Sequence, residues 1–191
     1  MIIDLLIHHP QALATVLQKT PTWVWGLLAA LLALGGSQLV ARTASLTRVT
    51  VMPVAMTVFS AYGLVSGFGA SGQVLGAMAA WLGAALVVAA IALALLPSAP
   101  AGTRYLAASR SFHLPGSAVP LALIVGIFLT KYLVGIELAM QPALARDAHF
   151  ALEIAALYGV FNGLFIARSA RLWRMALARQ APATASTQAA A

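Results

Sequence analysis

Five stretches of the chain are predominantly apolar over their whole length: residues 23–40, 49–66, 74–96, 119–140 and 150–167. Each approaches the roughly 20 residues that an α-helix needs to cross a hydrocarbon core about 30 Å thick. None alternates with the period of two that a membrane-barrel strand requires, and in lipid only helices and closed barrels satisfy their own backbone polar groups. The pattern therefore predicts an all-α fold, an integral membrane helical bundle of five transmembrane helices. Local punctuation fits these limits. Thr20-Pro21 reads as an N-cap followed by a first-turn proline, Pro53 falls in the first turn of the second span, and Ser117 with Pro120 opens the fourth. Trp23, Trp25 and Trp173 fall at predicted interfaces, where an amphipathic ring is at home.

The remainder divides simply. Residues 1–20 repeat Ile2, Leu5, Leu6, Leu13, Val16 and Leu17 at helical spacing but are short, polar and broken by Pro10, so they read as an interfacial amphipathic segment rather than a sixth span. Asp4 in place of a basic leader, and no cleavage site before the first span, argue against a signal peptide. Residues 21–175 form the bundle, and its one sizeable loop, 97–118, carries two short β-prone runs at 104–106 and 111–114 that predict a small hairpin. Residues 176–191, rich in Ala, Thr, Ser and Gln, read as a disordered tail.

Composition supports the membrane reading, because the chain is 62% hydrophobic and only 8% charged, whereas a soluble domain carries about a quarter charged residues. The net charge of +7 is explained by loop arginines, with no need of a nucleic-acid partner. Arg42, Arg48, Arg104, Arg110, Arg168, Arg171, Arg174 and Arg179 all fall on one side of the five-span arrangement, leaving Lys19 and Arg146 on the other. The positive-inside rule then places the N-terminus outside and the C-terminus and loop 97–118 in the cytoplasm. No cysteine is present, which removes disulfides, thiolate catalysis and thiolate metal sites. No cofactor motif is visible, and the partners expected are the lipid bilayer and either a second copy of the chain or another membrane protein.

The most informative residue is Lys131, near the centre of the fourth span. Each interface is about 15 Å away at 1.5 Å per residue, further than a lysine stem can snorkel. An ammonium left bare in lipid costs from about 3 to more than 10 kcal/mol, so this one must face the bundle interior or water. Glu153, on the antiparallel fifth span, is the preferred partner. Glu137 lies about 120° around the helix from Lys131. With Thr130, Tyr158 and Asn162 they outline a polar crevice open to the outside and floored by Lys131, although Asn162 and Glu153 project from opposite sides of their helix. A buried ion pair that only fixes helix packing would account for the same residues.

Other features carry less. Arg168, Arg171 and Arg174 extend the fifth span into the cytoplasm and suit anionic lipid headgroups. Gly63/Gly67, Gly72/Gly76 and Gly159/Gly163 have the spacing that lets helices approach closely. His149 and Glu153 share a helix face, but with His8 and His9 unplaced they make no metal site.

Pro21-Thr22-Trp23-Val24-Trp25-Gly26, Leu114-Pro115-Gly116-Ser117, Gly126-Ile127-Phe128-Leu129-Thr130-Lys131-Tyr132 and Ala156-Leu157-Tyr158-Gly159 together resemble a bacterial family of small inner-membrane proteins of unknown function. The resemblance covers most of residues 21–173 and implies membrane placement without an activity. Two functions then compete. One is binding or passage of a small solute or ion through the crevice around Lys131 and Glu153. The other is an accessory or structural subunit that uses intramembrane charges and small-residue faces to bind a partner. An enzyme is disfavoured, since neither a nucleophile–base pair nor a carboxylate-rich metal site is present.

Overall fold

A computed structural model describes residues 17–69 and 72–188. Its elements are α1 (Thr22–Gly36), β1 (Arg42–Ser45), α2 (Leu46–Phe68), α3 (Val74–Leu95), β2 (Arg104–Leu106), β3 (Ser111–Leu114), α4 (Val119–Met140), a 3₁₀ turn (Pro142–Arg146) and α5 (Ala148–Gln188). The interfacial segment expected over residues 1–20 lies mostly outside the described residues.

Four helices, α2 to α5, are long and apolar enough to cross a membrane, and only 17–39% of each apolar window is buried. Leu75, Leu86, Leu95 and Val58 are more than half exposed. So much bare hydrocarbon demands an apolar surrounding, which makes this a membrane protein. The first apolar stretch yields a shorter helix than its pattern predicts: α1 has 15 residues, about 22 Å. It stops at Gly36 because residues 37–41 turn the chain into β1, a strand the pattern did not predict.

That strand enlarges the predicted hairpin within a fold that is otherwise helical. β1, β3 and β2 form a three-stranded antiparallel sheet in that order, with Ala44 and Tyr105 both opposite Phe112. The predicted hairpin is β2–β3. β1 is a four-residue segment, Arg-Thr-Ala-Ser, too short and polar to stand out, and it is held by its register on β3 rather than by its own propensity. Phe112, fully buried, and Leu114 pack with Ala44, Leu46 and Val49 against Leu172 and Ala176 of α5. Ser45 then caps α2, its hydroxyl accepting the Arg48 amide at 3.2 Å.

α5 is 41 residues long, about 60 Å. It outruns its predicted span of 150–167, and its second half carries the sheet. Helical backbone continues to Gln188, through the segment whose composition reads as disordered. Alanine, the strongest helix former, is frequent there and continues the helix begun upstream.

Within the bundle, α5 packs most extensively on α3. α3 buries Ala77, Trp81, Ala85 and Ala89, one residue per turn. α5 answers with Ala151, Ala155, Gly159, Gly163 and Ala167 at the same spacing. A Cβ on Gly159 would strike the Trp81 carbonyl, and one on Gly163 would lie 2.6 Å from the Ala85 carbonyl oxygen. Only glycine permits this approach. Of the three glycine pairs read from the sequence, this one is used as a helix–helix seam. A methyl added at Gly67 or Gly72 would meet nothing within 4 Å, and Gly72 lies outside any helix with φ +73°.

Candidate functional site

The close α3–α5 seam has a consequence for α4. Antiparallel neighbours joined by a short loop normally pack together, but the small-residue face of α5 is already occupied by α3. α4 pairs instead with α1, where Gly35 rests against Leu121, and meets α5 at few points, among them Gly126 against Phe161. Between the α1–α4 pair and the α2–α5 wall lies a cleft of about 1400 Å³. Its α4 lining runs from Pro120 to Met140, about 30 Å at 1.5 Å per residue, which is the full thickness of a hydrocarbon core. Leucines of α1, Met56 and Phe59 of α2, Ile127 of α4 and Phe165 of α5 make most of its walls.

Cations interrupt these walls at three places. At the sheet end Arg42, Arg48 and Arg168 line the cleft beside Gln38 and Ser169. Arg42 donates through Nη2 to the Gln38 side-chain oxygen at 2.5 Å. Burial, and then the charge of Arg48, hold the Arg42 guanidinium below its ordinary pKa. Arg42 and Arg171 are in turn the charged neighbours of Arg168. About 15 Å further along, counting the ten residues of α5 from Arg168 to Tyr158, Lys131 projects from α4. At the other mouth stands Lys19, next to Thr20, whose hydroxyl bonds the Tyr132 hydroxyl at 2.6 Å. Thr20 thus ties α1 to α4 instead of capping α1, whose N-cap is Pro21.

The ammonium of Lys131 sits 4.4 Å from the Phe59 ring centre and 4.5 Å from that of Tyr158. Gly63 of α2 makes the space: a Cβ there would come within 2.9 Å of Nζ. Among the described residues no carboxylate lines the cleft, and Lys131 forms no ion pair with any of them. Glu153, its expected partner, is exposed on α5, and Glu137 is half-buried on α4.

The rest of the expected crevice disperses onto other contacts. Thr130 bonds back to the Gly126 carbonyl of its own helix at 2.8 Å. Asn162, 3% exposed, fastens α5 to α2: its amide donates to Ser60 Oγ at 2.8 Å and to the Tyr158 carbonyl at 2.9 Å, while its carbonyl accepts from Thr57 Oγ1 at 3.2 Å. Tyr158 stays with Lys131 through its ring. Of the three headgroup arginines, Arg168 faces the cleft, Arg171 is half-buried with Nε on the Ala167 carbonyl at 3.3 Å, and Arg174 is exposed. Read from the sequence, Arg42 and Arg48 count as loop charges only. Their six-residue separation across the start of α2 was the available signal, but its meaning depends on β1, which brings Arg42 to Arg168.

The chain matches a family of unknown function (DUF6622) over residues 1–184 and belongs to it. No curated protein and no solved structure matches it.

Proposed function

Since that family carries no activity to transfer, we propose from the cleft itself that the protein binds an amphipathic anion within the membrane. The observation that carries this reading is a mid-depth ammonium in a long apolar cleft with no carboxylate beside it among the described residues. Cation–π contact is worth about 0.5–2 kcal/mol per ring, against about 3 to more than 10 kcal/mol for a charge in hydrocarbon. The two rings together offset about 1–4 kcal/mol, which over most of that range leaves a remainder that an anionic group in the cleft would offset. Apolar walls suit the hydrocarbon part of the same ligand. At about 1400 Å³ the space exceeds the roughly 300–1,000 Å³ of ordinary small-molecule pockets.

The same proposal includes a placement. The protein is a multi-pass protein of the inner membrane, with α1 completing five crossings, the N-terminus outside and the sheet end in the cytoplasm. Its support is the distribution of basic residues, with Arg42, Arg48, Arg104, Arg110, Arg168, Arg171 and Arg174 on the sheet side.

Native mass spectrometry of the purified chain, offered phosphatidylglycerol or phosphatidylcholine, tests the binding. The expected result is retention of phosphatidylglycerol by the natural chain, loss of that retention in Lys131→Met, and little phosphatidylcholine in either. Equal retention of both lipids by both proteins refutes the reading. Co-purification of one stoichiometric membrane protein in place of lipid would favour the accessory-subunit function instead.

A further inference from the structure

We propose that the cleft is a passage by which the headgroup of an anionic phospholipid crosses between leaflets while its acyl chains stay in the bilayer. This rests on the binding reading above and adds an activity to it. Three observations carry it. The cleft spans the whole length of α4, from Pro120 to Met140, so both ends reach an interface. Its cations lie at both ends and in the middle: Arg42, Arg48 and Arg168 at one, Lys131 at mid-depth, Lys19 at the other. Finally, Leu27, Leu34 and Phe59, which line the cleft, are all more than 40% exposed, so its walls leave apolar surface uncovered for lipid chains.

The physical logic is that of a barrier with a stepping stone. An anionic headgroup meets its highest energy at the bilayer centre, where it has neither water nor a counter-charge. Lys131 stands there with two aromatic rings but no carboxylate beside it among the described residues, so headgroup and ammonium each relieve the other's desolvation. The end cations gather anionic headgroups from the adjoining leaflet, and acyl chains meet the uncovered apolar lining of the cleft. A site meant only to hold a lipid would not need cations at both ends as well as at the centre. Neutral headgroups gain nothing from this arrangement, which predicts selectivity for anionic lipid.

The test reconstitutes the full chain into vesicles with a trace of phosphatidylglycerol bearing a fluorescent acyl tail label, and adds a membrane-impermeant reductant. Bare vesicles lose only the outer-leaflet signal. The natural chain should bleach nearly all of it, Lys131→Arg should do the same, and Lys131→Met should slow the second phase about a hundredfold or more. The double variant Arg42→Gln/Arg168→Gln should slow it too, with labelled phosphatidylcholine slow throughout. If the natural chain retains phosphatidylglycerol by mass spectrometry yet bleaches no more than bare vesicles, passage is refuted and binding stands. If it does neither, both fail. Unchanged rates in Lys131→Met, eluting as the same monodisperse species, would also overturn the passage.

Discussion

Replacing Lys131 by methionine removes the charge and keeps an unbranched chain of similar length, and the structure sets the sign of the effect. The ammonium touches two rings and, among the described residues, no carboxylate. With each ring near 1 kcal/mol, inside the range for such contacts, the two together supply about 2 kcal/mol. The lowest figure for a lysine at mid-membrane is about 3 kcal/mol. At least about 1 kcal/mol of unfavourable free energy therefore remains in the ligand-free protein, and Lys131→Met should be more stable by that amount. For a chain of this size about 1 kcal/mol corresponds to roughly 2–4 °C in Tm. Thermal unfolding of delipidated protein in mild detergent measures it. The expected pattern is a Tm rise of a few degrees in the variant, and a rise on adding phosphatidylglycerol that the natural chain shows and the variant lacks. A fall of several degrees on substitution, partly rescued by adding Glu153→Gln, would refute the reasoning. It would mean that a carboxylate reaches Lys131 and that the charge is a structural tie, since breaking a buried pair leaves one charge uncompensated.

Two further predictions test the packing that creates the cleft. Gly159→Ala gains about 1 kcal/mol of helix propensity but drives a methyl into the Trp81 carbonyl, so the α3–α5 seam should open at a cost of about 1–3 kcal/mol and lower Tm. Gly83→Ala on α3, with nothing within 4 Å of the added methyl, should raise Tm slightly, and equal effects of the two would contradict the seam. Asn162→Leu should lower Tm by about 2–4 °C, in line with a membrane-buried side-chain hydrogen bond worth about 1 kcal/mol, while lipid retention stays unchanged. Loss of retention at constant Tm would move Asn162 from the α2–α5 fastening into the binding site.

Local hydrophobicity and turn chemistry made several elements legible without the structure. The limits of α4 at Val119–Met140 and the strands at Arg104–Leu106 and Ser111–Leu114 match the pattern. So does the start of α3 at Val74. Each of these depends on an apolar run and its own flanking residues, which the sequence contains in full. Lys131 stood out for the same reason: the cost of a charge at that depth follows from a helix and a bilayer alone.

What surrounds Lys131 was decided elsewhere. In lipid the hydrophobic effect does not choose which apolar helix lies beside which, and small differences in van der Waals fit do. Three glycine pairs had equal spacing in the sequence, but only Gly159/Gly163 met a facing row of Ala77, Trp81, Ala85 and Ala89. That fit placed α3 where α4 was expected on α5, moved α4 to α1, and opened the cleft between the α1–α4 pair and the α2–α5 wall. Glu153 is left exposed on α5, Gly63 and two aromatic rings surround Lys131, and β1 carries Arg42 to Arg168 through hydrogen bonds to a strand far along the chain. The chain's apolar runs therefore determined that it crosses a membrane as helices, while the pairing of those helices, a property of matched surfaces distant in sequence, determined where its charges meet.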